Sequence, residues 1–238
     1  MDLLQAVLLG LMQGITEWFP VSSSGHLVIL QNIFGLNEPI VFSVILHLAS
    51  LIVLVIVFRE QILGLITGIL NQDKDQVALF KKLILASVPI AIIGYFFNSF
   101  IKTFFNNPVV VGISLLVTGI LLFLTKFNKT NKKDLDYLNS LMIGISQMFA
   151  LLPGISRSGI TISTGLLSGI NREKVTNFSF LLAIPAILGA TIIEIQNLAQ
   201  ITSINYLIVS FLVTLISGYI SLNLLLKIIK KKKLHYFS

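Results

Sequence analysis

The sequence predicts an all-α protein that crosses a membrane several times, and three observations carry that prediction: few charges, apolar runs of bilayer length, and cations gathered between those runs. Of 238 residues, 55% are hydrophobic and 11% charged, where an ordinary soluble domain carries about 25% charged residues. Mean hydropathy is +0.93. Such a chain cannot hide its apolar surface from water. Stretches at 40–58, 83–97, 109–124 and 206–226 approach the length of the roughly 20 apolar residues that cross a hydrocarbon core of about 30 Å. With a further apolar stretch in the second half, about five full spans are expected, in a single membrane domain covering 1–238. The segment at 3–11 has no basic residue ahead of it, and Gln13, Glu17 and a serine cluster follow where a signal peptidase would cut. It is expected to be retained as structure. With no cysteine, disulfides, thiolate metal sites and cysteine nucleophiles are excluded.

Net charge is +7, and the placement of the cations decides what it means. They fall into groups at Arg59, Lys74, Lys81 and Lys82; at Lys126, Lys129, Lys132 and Lys133; at Arg172 and Lys174; and at Lys227 and Lys230 to Lys233. If the spans alternate sides, with two stretches that enter and leave on one face, all of these groups are cytoplasmic. Only Lys102 is left outside, and Arg157 lies within a motif. This is the positive-inside bias of membrane proteins. No basic stripe with interleaved aromatics is present, so no nucleic-acid partner is expected.

The chain also repeats itself. At an offset of 134, Gly10 pairs with Gly144, Gln13 with Gln147, Ser22 with Ser156, Ser24 with Ser158, Gly25 with Gly159, Gly35 with Gly169 and Asn37 with Asn171. Two residues farther out of register, Phe42 and Ser43 pair with Phe178 and Ser179. Polar and glycine identities at one offset point to duplication, with units at 1–126 and 135–238. Each unit reads as a helix, a Ser/Gly-rich break and a helix too short to span, then full spans. The breaks predict two re-entrant hairpins, 1–35 and 135–170, because bare backbone at membrane depth must be covered by protein or line a cavity. Counting sides, the second hairpin enters from the cytoplasm and the first from outside. The halves are therefore inverted, and their breaks are expected to meet near the midplane and form a site there.

In the first break, Gln13 and Glu17 share a helix face. Glu17 is the one acid deep in an apolar segment, where an unpaired charge costs about 2.5 to 3.5 kcal/mol on the insertion scale. One reading pairs it with Arg157 or His26 to hold the hairpins together. The other makes it a ligand, helped by the Gln13 carbonyl, for a hard cation such as Mg²⁺ or Ca²⁺. His26 is a candidate acid/base because imidazole titrates near neutral pH, and Ser22, Ser23 or Ser24 could supply a nucleophilic oxygen. His47 is expected to be a satisfied interhelical residue, and Trp18 and Phe19 to serve packing or lipid contact. In the second break, Gly154, Ser156, Arg157, Ser158 and Thr161 surround a helix start. Amides, hydroxyls and a guanidinium fork there make a phosphate site, whereas the plainer alternative is a helix cap with a snorkelling arginine. A positive hole facing a carboxylate, a histidine and serines is the layout of phosphoryl transfer.

The motifs QGITEWFPVSSSGH and PGISRSGIT, with FSFLLAIPAILGAT after the second, resemble the bacitracin-resistance type undecaprenyl-diphosphatases over nearly the whole chain. That resemblance implies hydrolysis of undecaprenyl diphosphate to the monophosphate on the outer face of the plasma membrane, aided by a divalent cation. It would recycle the carrier lipid for cell-wall synthesis and confer bacitracin resistance. It further implies that Gln13 and Glu17 are the acidic-motif and metal positions, Ser23 the nucleophile or its neighbour, and His26 the acid/base. Ser22, Ser24, Gly154, Ser156, Arg157, Ser158 and Thr161 are then the diphosphate binders. The expected partners are the polyprenyl diphosphate lipid and the bilayer, with a homodimer among the assemblies considered. Two features depart from the family pattern: Gln13 stands where Glu is common, and the final family helix is expected to be missing after the basic stretch. A polyprenyl-phosphate transporter or flippase is the rival reading, since inverted repeats with broken helices are also a transporter architecture.

Overall fold

In each half, a capped helix leads to a break, a second and shorter capped helix, and then long helices. The structure, a computed structural model, describes residues 1–127, 133–201 and 204–230. Lys129, Lys132 and Lys231 to Lys233 lie outside the described residues. Helix α1, Leu3–Thr16, starts on Asp2, whose carboxylate accepts from the Gln5 amide in a capping box. Its counterpart Tyr137–Met148 (called α8 below) starts on Asp136, which accepts from the Asn139 amide. The two caps are 134 residues apart and adopt nearly the same extended backbone.

After the breaks come α2, Ser23–Ile33, and its counterpart Arg157–Leu167 (α9), 11 residues each. At 1.5 Å per residue each is roughly 16 Å long, about half a bilayer core. Ser22 caps the first through the Gly25 amide and Ser156 caps the second through the Gly159 amide. Gly35 and Gly169 follow these helices at φ 62° and 83°, turning the chain where a side chain would be strained.

The remaining helices are α3 (Ile40–Val57), α4 (Arg59–Leu70), α5 (Lys74–Phe96), α6 (Asn98–Phe104), α7 (Pro108–Leu124), α10 (Arg172–Glu194) and α11 (Ile204–Lys230). Among the described residues, α3, α5, α7, α10 and α11 are the five helices long and apolar enough to cross a membrane. The protein is thus an all-α polytopic membrane protein. One sequence expectation changes. The gap at 59–82 is largely helical, because α4 sets Leu63, Ile66 and Leu70 on an exposed apolar stripe that suits the membrane interface, and it buries none of its residues. Among the charged termini, Lys174 bonds Asp134, and that hydrogen bond holds the Asp134 carboxyl below the usual carboxylate range.

The long helices are amphipathic in the sense a bilayer requires. On α11, Ile204, Ile208, Leu212, Ile216, Ile220 and Leu224 face outward, while Ser210, Thr214, Ser217 and Ser221 face inward. Small inward residues let backbones approach closely. A Cβ at Gly10 would lie 2.5 Å from the Ser210 carbonyl of α11, and one at Gly144 would lie 2.5 Å from the Ala86 carbonyl of α5. The two halves therefore use their equivalent glycines for equivalent helix crossings. Trp18, Phe58 and Phe180 fill the centre, with ring centroids 6.0 Å apart for Trp18–Phe180 and 5.4 Å for Phe58–Phe180.

Candidate active site

The two breaks touch. A Cβ on Gly25 would lie 2.8 Å from the Gly154 Cα, and one on Gly159 would lie 3.4 Å from the Pro20 Cβ. Only glycine permits the first approach. Gly154 itself sits at φ 102° under α7, whose Thr118 hydroxyl donates to the Gly154 carbonyl (3.0 Å) and accepts from the Ser156 amide (3.1 Å). Thr118 thus fastens the second break to α7. Ser22, at φ 66°, takes a positive φ without being a glycine and is the strain point of the first break. That backbone turns α2 so that Ser23 begins the helix facing Glu17.

Glu17 ends α1 and is buried together with Gln13 and Ser23. Its Oε2 accepts the Ser23 hydroxyl at 2.6 Å and the Gln13 amide nitrogen at 3.1 Å, and lies 3.3 Å from His47 Nε2. Its Oε1 lies 3.0 Å from Arg157 Nη2. Arg157 also donates through Nη1 to the Ser179 carbonyl at 3.2 Å. The Ser179 hydroxyl meets Thr161 Oγ1 at 2.6 Å, so α9 and α10 together orient the guanidinium. A carboxylate from one half and an arginine from the other thus form one ion pair, as the first reading of Glu17 anticipates.

The expected histidine is displaced. His26 turns its Nδ1 to the Ser22 carbonyl at 2.8 Å, and no bond joins it to Glu17. His47, expected to be an ordinary interhelical residue, stands against Glu17 and Ser23 instead. A signal for it was present in the sequence. Ser43 and Ser179 are the out-of-register repeat pair; the carbonyl of Ser43 holds His47 Nδ1 at 2.7 Å, and that of Ser179 holds Arg157. Ser50 and Thr118, by contrast, belong to no motif, since each acts on the site from a long helix. Ser24 reaches Ser22 Oγ at 3.3 Å, and Ser158 reaches Ser156 Oγ at 3.3 Å.

The donor set also tests the expected metal. Gln13 offers Glu17 its nitrogen, not its carbonyl, and that nitrogen also donates to Ser50 Oγ at 3.3 Å. Glu17 is already met by a hydroxyl, an amide, an imidazole and a guanidinium, which occupy most of a carboxylate's roughly four acceptor positions. No group of three or more His, Cys, Asp or Glu side chains stands together among the described residues, while the Gln13 carbonyl oxygen is buried without a hydrogen-bond partner.

A buried serine bonded to a carboxylate, with an arginine across the same carboxylate, defines a membrane-embedded centre suited to phosphoryl transfer. The chain belongs to the family described as Bacitracin resistance protein BacA, whose pattern it matches over residues 6–238. It is similar to a protein of Carboxydothermus hydrogenoformans, 42% identical over 249 residues that cover all of this chain and 93% of that protein. It is also similar to one of Thermosipho africanus, 40% identical with 98% and 93% covered. A third, from Methanobrevibacter smithii, is 38% identical with 100% and 93% covered. All three relatives carry the name Undecaprenyl-diphosphatase.

Proposed function

We propose that this chain is an undecaprenyl-diphosphatase, releasing the terminal phosphate of undecaprenyl diphosphate and returning the monophosphate carrier. The observation that carries the reading is the 2.6 Å bond from the Ser23 hydroxyl to Glu17, with Arg157 lying 3.0 Å from the other oxygen of the same carboxylate. The names of relatives at 38–42% identity support the substrate.

The diphosphate enters from the outer face, with its prenyl chain in the bilayer and its terminal phosphate against the starts of α2 and α9. Helix N-termini and a planar guanidinium fork favour that charge. Arg157 takes two phosphate oxygens. Ser23 Oγ bonds to the terminal phosphorus while its proton passes to Glu17 Oε2, and the bridging P–O bond breaks. Polyprenyl monophosphate leaves, its bridging oxygen taking a proton from His26. Water then gives its hydroxyl to the phosphoserine phosphorus and its other proton to His26, and Glu17 returns its proton to the departing Ser23 oxygen. Ser22, Ser24, Ser156, Ser158 and Thr161 keep the breaks shaped and hydroxyl-lined, and Gly154 lets them close. Mg²⁺ or Ca²⁺ belongs to the substrate in this reading, as the counter-ion of the diphosphate.

Two repeated hairpins also suit a transporter, and one experiment separates the activities. Purified protein in detergent, with no gradient, is given undecaprenyl diphosphate and Mg²⁺. Release of inorganic phosphate is expected. Lipid translocation in vesicles without any phosphate release would contradict the hydrolase reading.

A further inference from the structure

Resting on the hydrolase reading, we propose that His47 is a further positioning residue, a hydrogen-bond donor from α3 that holds Glu17 aimed at Ser23 while Arg157 is drawn to the phosphate. None of the motifs of the two breaks contains it. Its ring is fixed from both sides, and the partners assign its hydrogens. Nδ1 lies 2.7 Å from the Ser43 carbonyl, which can only accept. Nε2 lies 3.3 Å from Glu17 Oε2 and 3.4 Å from Ser23 Oγ. Ser23 has a single hydroxyl hydrogen, and the 2.6 Å separation commits it to Glu17. Both atoms facing Nε2 are therefore acceptors, and the contact is attractive only when Nε2 also carries a hydrogen.

The consequence appears during turnover. With no substrate bound, Glu17 has Arg157 on one oxygen and Ser23, Gln13 and His47 on the other. When a diphosphate takes the guanidinium fork, the buried carboxylate loses its strongest partner before it has taken the Ser23 proton. An isolated carboxylate in such surroundings swings toward any other donor or takes up a proton, and either change would end its use as a base. His47 prevents this because it approaches from a spanning helix that belongs to neither break. Gln13 lies on the same helix as Glu17 and gives it no anchor from another helix.

The prediction separates a donor role from mere packing. In His47→Leu, kcat is expected to fall about 100-fold, in the range for a lost acid/base group, while KM changes less than about threefold, because the phosphate clamp is untouched. His47→Gln places a neutral amide donor near the position of Nε2 and is expected to recover kcat to within about tenfold of wild type. His47→Asn reaches only the Ser43 side and is expected to behave like Leu. Should the Leu variant fail to fold, the Gln and Asn pair decides the matter. Equal activity in those two, or a folded Leu variant within about threefold of wild-type kcat, overturns the assignment. The wild type is measured alongside. If it releases no phosphate, the hydrolase reading fails and this role fails with it; an active wild type with an active Leu variant overturns the role of His47 alone.

Discussion

The breaks at 22–25 and 156–159 are built alike: a serine caps an 11-residue helix through a glycine amide in each. Yet at the same repeat position one carries Ser23 and the other Arg157, 134 residues on. The acid has no counterpart either, since Leu151 stands where the second half would hold the equivalent of Glu17. Duplication accounts for the scaffold, and divergence at matched positions accounts for the chemistry. In the proposed mechanism one half brings the nucleophile and base and the other the anion clamp, so that neither half forms a site alone. An inverted repeat is well suited to this division, because its two helix starts converge on one point from opposite directions.

Replacing the clamp breaks the comparison most severely. Arg157→Lys keeps the charge but loses the fork, and activity is expected to fall about 10³-fold, as for arginines that stabilise a transferring phosphoryl group. The variant should insert and fold, since an ammonium still meets Glu17. Phosphate-release kinetics beside a thermal melt check both halves of the statement, and near-normal turnover would make the arginine structural.

The contact between breaks gives the next effect. Gly25→Ala puts a methyl group 2.8 Å from the Gly154 Cα, backbone that cannot yield as a side chain would. A loss of about 1–3 kcal/mol is expected, read as a lower melting temperature together with lost activity. Gly35→Ala makes a useful control, because nothing lies within 4 Å of a Cβ there and only the φ of 62° opposes it.

Much of this was legible in the sequence because it is local or periodic. Apolar run length marked four of the five long apolar helices among the described residues, though not α10, and the 134-residue offset located both breaks, their serine caps and the glycines that pack. Glu17, His26 and Arg157 stood out as polar groups in apolar surroundings, while only the family resemblance set Ser23 apart from Ser22 and Ser24. What was not legible is which donor meets which acceptor across the fold. His26 lies beside the serines in sequence, but the helical turn aims its Nδ1 back at its own backbone. His47 lies 24 residues from Ser23 and reaches it only because α3 packs beside α1. The partners of Glu17 were hidden for the same reason: an acid in apolar surroundings calls for a cation, and Arg157 and His47 reach it from distant helices.

The smallest effect sharpens how the clamp is held. Thr161→Val removes the 2.6 Å bond to the Ser179 hydroxyl but leaves the Ser179 carbonyl on Arg157. A stability loss of about 1 kcal/mol is expected, with only a modest drop in kcat. A loss as large as that of Arg157→Lys would mean that the hydroxyl itself reaches the phosphate.

The division of labour between the halves is tested most directly at Ser23. The protein is mixed with undecaprenyl diphosphate labelled in its terminal phosphate and quenched in acid within a turnover, and its peptides are then mapped. Label is expected on Ser23 in the wild type, and none on the protein in Ser23→Ala, which should also release no phosphate. A Ser23→Ala protein that still turns over, or label that passes directly to free phosphate without ever residing on the chain, would contradict it.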